Sequence, residues 1–131
     1  MINLFERMIY HMEEIRLGAV EEKFADLIWQ YEPIPSGELV KLCAEELNWK
    51  KSTTYTVLRK LCDRGIFINE GGIVKKVITK DEFNSIQSEQ FIDTAFKGSL
   101  PAFLAAFTKR KSLSEDEISE IQRLINSIKE E

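Results

Sequence analysis

The stretch from Trp49 to Gly65, WKKSTTYTVLRKLCDRG, constrains this chain more than any other. Read at about 100° per residue, Thr54, Val57, Leu58 and Leu61 share one side at the spacing of an amphipathic helix. That side needs a core to pack against. The opposite side carries Ser52, Thr56, Arg59, Lys60 and Asp63, with Lys50 and Lys51 at the start, where free backbone N–H groups suit a phosphate. Short hydroxyls let a helix approach base edges, Arg bonds guanine in bidentate fashion, and flanking Lys residues neutralise phosphates. An ordinary solvated helix face has the same composition, so context must separate the two readings.

Context comes first from the neighbouring segments. Residues 19–31 read as a helix with Val20, Phe24, Leu27 and Ile28 inward, stopped by Glu32-Pro33-Ile34-Pro35, because proline lacks the N–H and biases the residue before it away from helix. Ser36 is placed as the N-cap of a second helix with Leu39, Val40, Cys43 and Leu47 on its core side. Gly65 ends the third helix by taking positive φ. Ile66 to Ile68 reads as a strand, Glu70-Gly71-Gly72 as its turn, and Ile73 to Ile78 as a returning strand bearing Lys75 and Lys76. Three helices and a basic hairpin spell a winged helix-turn-helix, whose hairpin reaches phosphates beside the groove. A further helix is expected over residues 2–15, ahead of this domain and ending near Gly18.

Charge is segregated along the chain. The net charge is -4, yet residues 50–80 hold 8 basic and 2 acidic side chains, whereas residues 1–49 hold 4 and 10. The distribution therefore favours an anionic partner for the middle third. No apolar run approaches the ~20 residues of a membrane span, so a cytoplasmic protein without membrane association is expected. Cys43 and Cys62 have no CxxC or CxH neighbour, and His11 has no evident partner. Buried free thiols are expected, with no metal, no cofactor and no catalytic residue. No His pairs with Cys or Ser and no glycine-rich phosphate loop is present, so the chain does not read as an enzyme.

After Thr79 the character changes. Residues 81–97 read as a helix with Phe83, Ile86, Phe91, Ile92 and Phe96, followed by a break at Gly98. LPAFLAAF, residues 100–107, is a short and almost wholly apolar helix with proline in its first turn. The final helix opens on S-E-D-E, with Ser114 as N-cap and Glu117 completing a capping box. These segments are too short to bury their apolar residues alone. The expected dimerisation surface is Phe91, Phe96, Leu100, Phe103, Leu104, Phe107, Ile121, Leu124, Ile125 and Ile128, packed against a second copy of the chain. Packing of the same surface on the winged helix is the alternative. The expected organisation is an extra N-terminal helix (1–18), a winged helix (19–80) and a helical dimerisation domain (81–131), mainly α with a small hairpin.

The order LIWQ, PIPSGEL, WKKSTTYTVLRKLCDRGIF, a short basic wing and FKGSLPAFLAAF before SEDEI resembles the penicillinase repressor family. That family includes penicillinase, methicillin-resistance and copper-responsive repressors. The resemblance runs from about Leu17 to Glu131. It implies a homodimeric transcriptional repressor whose winged helices bind a palindromic double-stranded DNA operator. By position, recognition-helix contacts fall on Ser52, Thr53 and Thr56, with Lys50, Lys51, Arg59 and Lys60 beside them and Lys75 and Lys76 on the wing. Ile73 stands where many relatives have a basic residue. The resemblance also implies a regulatory protease or sensor as partner, with Ala106-Phe107 at the place of the Asn-Phe bond cut in the β-lactam-responsive members. Here the phenylalanine is kept and the asparagine is not. The paired C-x-C motifs of the copper-responsive branch are absent. A winged helix that binds an acidic protein in place of DNA is the rival reading.

Overall fold

The computed structural model describes residues 17–130. The helix expected over residues 2–15, and His11 with it, lies outside the described residues. Helix α1 (Ala19–Tyr31), strand β1 (Ile34–Pro35), helices α2 (Ser36–Leu47) and α3 (Lys51–Asp63), and strands β2 (Phe67–Glu70) and β3 (Ile73–Lys76) form the winged helix-turn-helix read from the sequence. Helices α4 (Lys80–Phe96), α5 (Leu100–Thr108) and α6 (Glu115–Lys129) follow. The chain divides into two compact units between Gln90 and Phe91.

In the first unit each helix contributes its apolar side to one core. Phe24 and Ile28 of α1, Leu39 and Cys43 of α2, Leu58 and Leu61 of α3, and Phe67 and Val74 of the sheet are fully or almost fully buried. Val20, expected inward, is exposed, and Ala25 is buried in its stead, so the core stripe of α1 is rotated from the one expected. Trp29 packs on Phe67 and Phe83 at ring-centroid distances of 5.1 and 5.3 Å, and its indole N–H donates to the Ile78 carbonyl at 3.0 Å. These contacts hold the exit of the hairpin and the first turn of α4 against α1. Cys43 is buried while Cys62 is only half-buried, which corrects the expectation for the second thiol.

Strand β1 was not expected. Ile34 and Pro35 pair with Val74 and Ile73, so the hairpin becomes a three-stranded antiparallel sheet in the order β1-β3-β2. Ser36 also departs from expectation: Pro35 occupies the N-cap position, and Ser36 is the first helical residue. Its hydroxyl accepts from Tyr55 Oη at 3.0 Å and its N–H donates to the Gly72 carbonyl at 2.8 Å, so both groups serve tertiary contacts. The wing turn is Gly71-Gly72 alone, both at positive φ, with Glu70 paired to Ile73. That is the geometry a two-residue hairpin loop requires. Gly65, at φ +81°, ends α3, with the Gly65 and Ile66 N–H groups returning to the carbonyls of Cys62 and Leu61.

The second unit comprises the last turns of α4 with α5 and α6. Phe91, Phe96, Phe103 and Phe107 form a chain of ring contacts with centroids 5.6–6.0 Å apart. Ser99 caps α5 by accepting from the Ala102 N–H, and the capping box of Ser114 and Glu117 opens α6 as expected. Helices α5 and α6 bury no residue. Leu100, Leu104, Phe107, Ile118, Leu124, Ile125 and Ile128 are exposed, while Phe103 and Ile121 are half-buried.

Candidate nucleic-acid interface

Helix α3 is turned by its own residues. With Leu58, Leu61 and Thr54 seated in the core, Lys50, Lys51, Ser52, Thr53, Thr56, Arg59 and Lys60 are all exposed on the other side. Thr54 donates to the Lys50 carbonyl at 3.2 Å and Thr56 to the Ser52 carbonyl at 2.8 Å, so Thr56 keeps its oxygen lone pairs toward solvent. The N-cap of α3 is Lys50, which makes no side-chain cap bond, so the first-turn N–H groups stay available to an anion. Arg59 lines a shallow cleft of about 290 Å³ between α3 and β2 with Tyr55, Leu58, Cys62, Ile68 and Asn69.

Three of the expected cations are paired with carboxylates of the same domain. Lys60 lies 3.1 Å from Glu21, which also takes Arg64 at 3.2 Å. Lys75 meets Glu70 at 3.0 Å and Lys76 meets Glu32 at 2.6 Å. The sheet register explains the wing pairs. Lys75 lies opposite Ile68, so Glu70 is its diagonal neighbour on the same face of β2. Continuing the pairing of Ile34 with Val74 sets Glu32 opposite Lys76, and the Glu32 carboxylate accepts the Lys76 N–H at 3.3 Å. Pro33 between them has no N–H to extend the ladder. Hydrogen bonding by the Lys76 ammonium holds the Glu32 carboxyl below its ordinary value.

Sequence reasoning missed Glu21, Glu32 and Glu70. Only the Glu70 pair had a signal, since a two-residue turn fixes which side chains lie diagonally across it. Burial pushes the Cys43 thiol up to about 11 and raises Cys62 as well, so neither is a ready thiolate. Among the described residues no cluster of His, Cys, Asp or Glu could hold a metal ion, and no helix is long and apolar enough to cross a membrane.

A winged helix-turn-helix with an exposed cationic and hydroxyl-bearing third helix has the layout of a DNA-reading domain. The chain matches the penicillinase repressor family over residues 17–127 and belongs to it. It is 22% identical over 115 residues to the methicillin resistance regulatory protein MecI of Staphylococcus aureus strain Mu50, covering 84% of this chain and 93% of that protein. To the penicillinase repressor of Bacillus licheniformis it is 22% identical over 118 residues, covering 87% and 92%. These relatives are named as regulators.

Proposed function

We propose that this protein is a homodimeric transcriptional repressor that lays α3 of each protomer in successive major grooves of an inverted-repeat operator. The outer face of α3 carries the reading. Ser52, Thr53 and Thr56 face base edges, Lys50, Lys51 and Arg59 flank them, and Lys60, Lys75 and Lys76 reach phosphates once released from their carboxylates. The uncovered apolar surface of α5 and α6 supports a second copy of the chain as its cover, since interfaces of that kind resemble a halved core. A twofold pair sets two recognition helices about one DNA turn, ~34 Å, apart. Loosening the C-terminal unit, through a protease or another signal, then removes the linked second contact, worth ~10²–10⁴ in avidity. Repression is steric, by occupation of a promoter.

Purified protein incubated with genomic fragments, with the bound pool sequenced, tests this directly. The expected result is enrichment of an inverted repeat. Affinity for it should fall by about 0.9 log units per log unit of salt for each phosphate neutralised. A bound pool without any repeat refutes the inverted-repeat dimer, and the absence of any salt-dependent binding to the fragments leaves the protein-binding winged helix in place of the DNA reading.

A further inference from the structure

The wing lysines are paired within their own domain, by groups that share the chemistry of a phosphate oxygen. A carboxylate, like a phosphate, is an anionic oxygen acceptor for an ammonium group. Lys76 is held from two directions, its Nζ by Glu32 Oε2 at 2.6 Å and its backbone N–H by Oε1 at 3.3 Å. Glu32 is the less exposed partner, its side chain 13% exposed, so this pair is better shielded from water than a free surface pair. Lys75 and Glu70 are fixed by strand register and stay adjacent whatever their rotamers. Together they place two negative charges beside the only cations of the hairpin.

Resting on the reading of α3 and the wing as a DNA interface, we propose that Glu32 and Glu70 are specificity-determining counter-charges. They compete with DNA phosphates for Lys76 and Lys75 and hold down affinity for duplex of any sequence. Phosphate contacts carry no sequence information, while base contacts made by α3 do. A wing that must first give up two carboxylates contributes less to binding at random sites. The decision to bind is left to Ser52, Thr53 and Thr56. Glu21 differs from these two because Arg64 holds it as well as Lys60, so removing its charge would also disturb the contact between α1 and the end of α3.

The test measures the full chain on a random-sequence duplex, so no operator need be known. Glutamine keeps an acceptor oxygen for the Lys76 N–H and removes the charge. The double variant Glu32→Gln/Glu70→Gln should bind ~3–10-fold tighter at low salt, each pair contributing a few-fold. Its slope against salt should steepen by up to ~0.9 for each lysine that newly meets a phosphate. Adding Lys75→Gln and Lys76→Gln to that variant should abolish the gain. The matched charge change Glu45→Gln/Glu46→Gln, at exposed positions on α2, should give a smaller effect. Glu70→Gln alone, at an exposed strand end, gives the same direction at lower amplitude and serves if the double variant folds poorly.

A wild type that binds duplex in a salt-dependent way, with Glu32→Gln/Glu70→Gln unchanged or matched by Glu45→Gln/Glu46→Gln, overturns the counter-charge proposal alone. Persistence of the gain without the two lysines does the same. A wild type and a double variant that both fail to bind random duplex even at low salt overturn the counter-charge proposal, and a wild type that also retains no genomic fragment overturns the DNA-binding reading with it.

Discussion

Thr54 and Thr56 stand two residues apart on α3 and are turned to different environments. Thr54 is fully buried beneath the helix, and Thr56 is exposed on its outer face. Thr54→Ala should therefore lower stability by about 1–2 kcal/mol, through lost packing and a lost hydrogen bond, as read by urea unfolding. Thr56→Ala should leave the unfolding midpoint within ~0.5 kcal/mol of wild type, yet cost operator binding about tenfold, the scale of one base contact. Glu32 supplies a pH signature. Its folded carboxyl is held below the ordinary value of 4.5, so the stability it contributes is present above that value. That contribution is lost as pH falls through the lower, folded value. Wild type should exceed Glu32→Gln in stability at neutral pH, and the gap should close as pH falls below the ordinary value of 4.5 in a denaturant series.

The helices and hairpin were legible because each carries its own punctuation. Gly65 ends α3, Gly71-Gly72 turns the wing, and Ser114 with Glu117 opens α6, and each is a local rule that needs no knowledge of the rest. Strand β1 was not legible. Two residues flanked by prolines give no alternation to read, and their pairing exists only because β3 lies beside them. Ser36 misled for a related reason, since a hydroxyl able to cap a helix is equally able to accept from Tyr55, and only the fold decides. In the candidate interface, α3 was legible from its periodicity, whereas Glu21 on α1 and Glu32 at its C-cap are distant in sequence and no local pattern joins them to the lysines. At this scale Gly65→Ala is diagnostic. Nothing lies within 4 Å of an added Cβ, so the cost is the left-handed backbone alone, ~1–2 kcal/mol in thermal or urea unfolding. A much larger loss would mean that α3 ends otherwise.

As a whole, the chain joins a winged helix with a closed core to a unit in which α5 and α6 keep their apolar residues at the surface. The proposed dimer follows from that asymmetry, and Phe103, in ring contact with Phe91, Phe96 and Phe107, is the residue to disturb. Phe103→Asp should yield monomers by analytical ultracentrifugation, because an unpaired charge in a desolvated apolar interface is costly. An intact dimer carrying it would refute the assignment of this surface. The double grip of Glu21 has its own consequence for the assembled protein. By grasping Lys60 on α3 and Arg64 at its C-cap, a carboxylate on α1 adds to the core anchors Thr54, Leu58 and Leu61 that set the roll of the helix about its long axis. A substitution at Glu21 thus acts on the outward side chains of α3 together, through the helix that carries them, while leaving each of those side chains untouched.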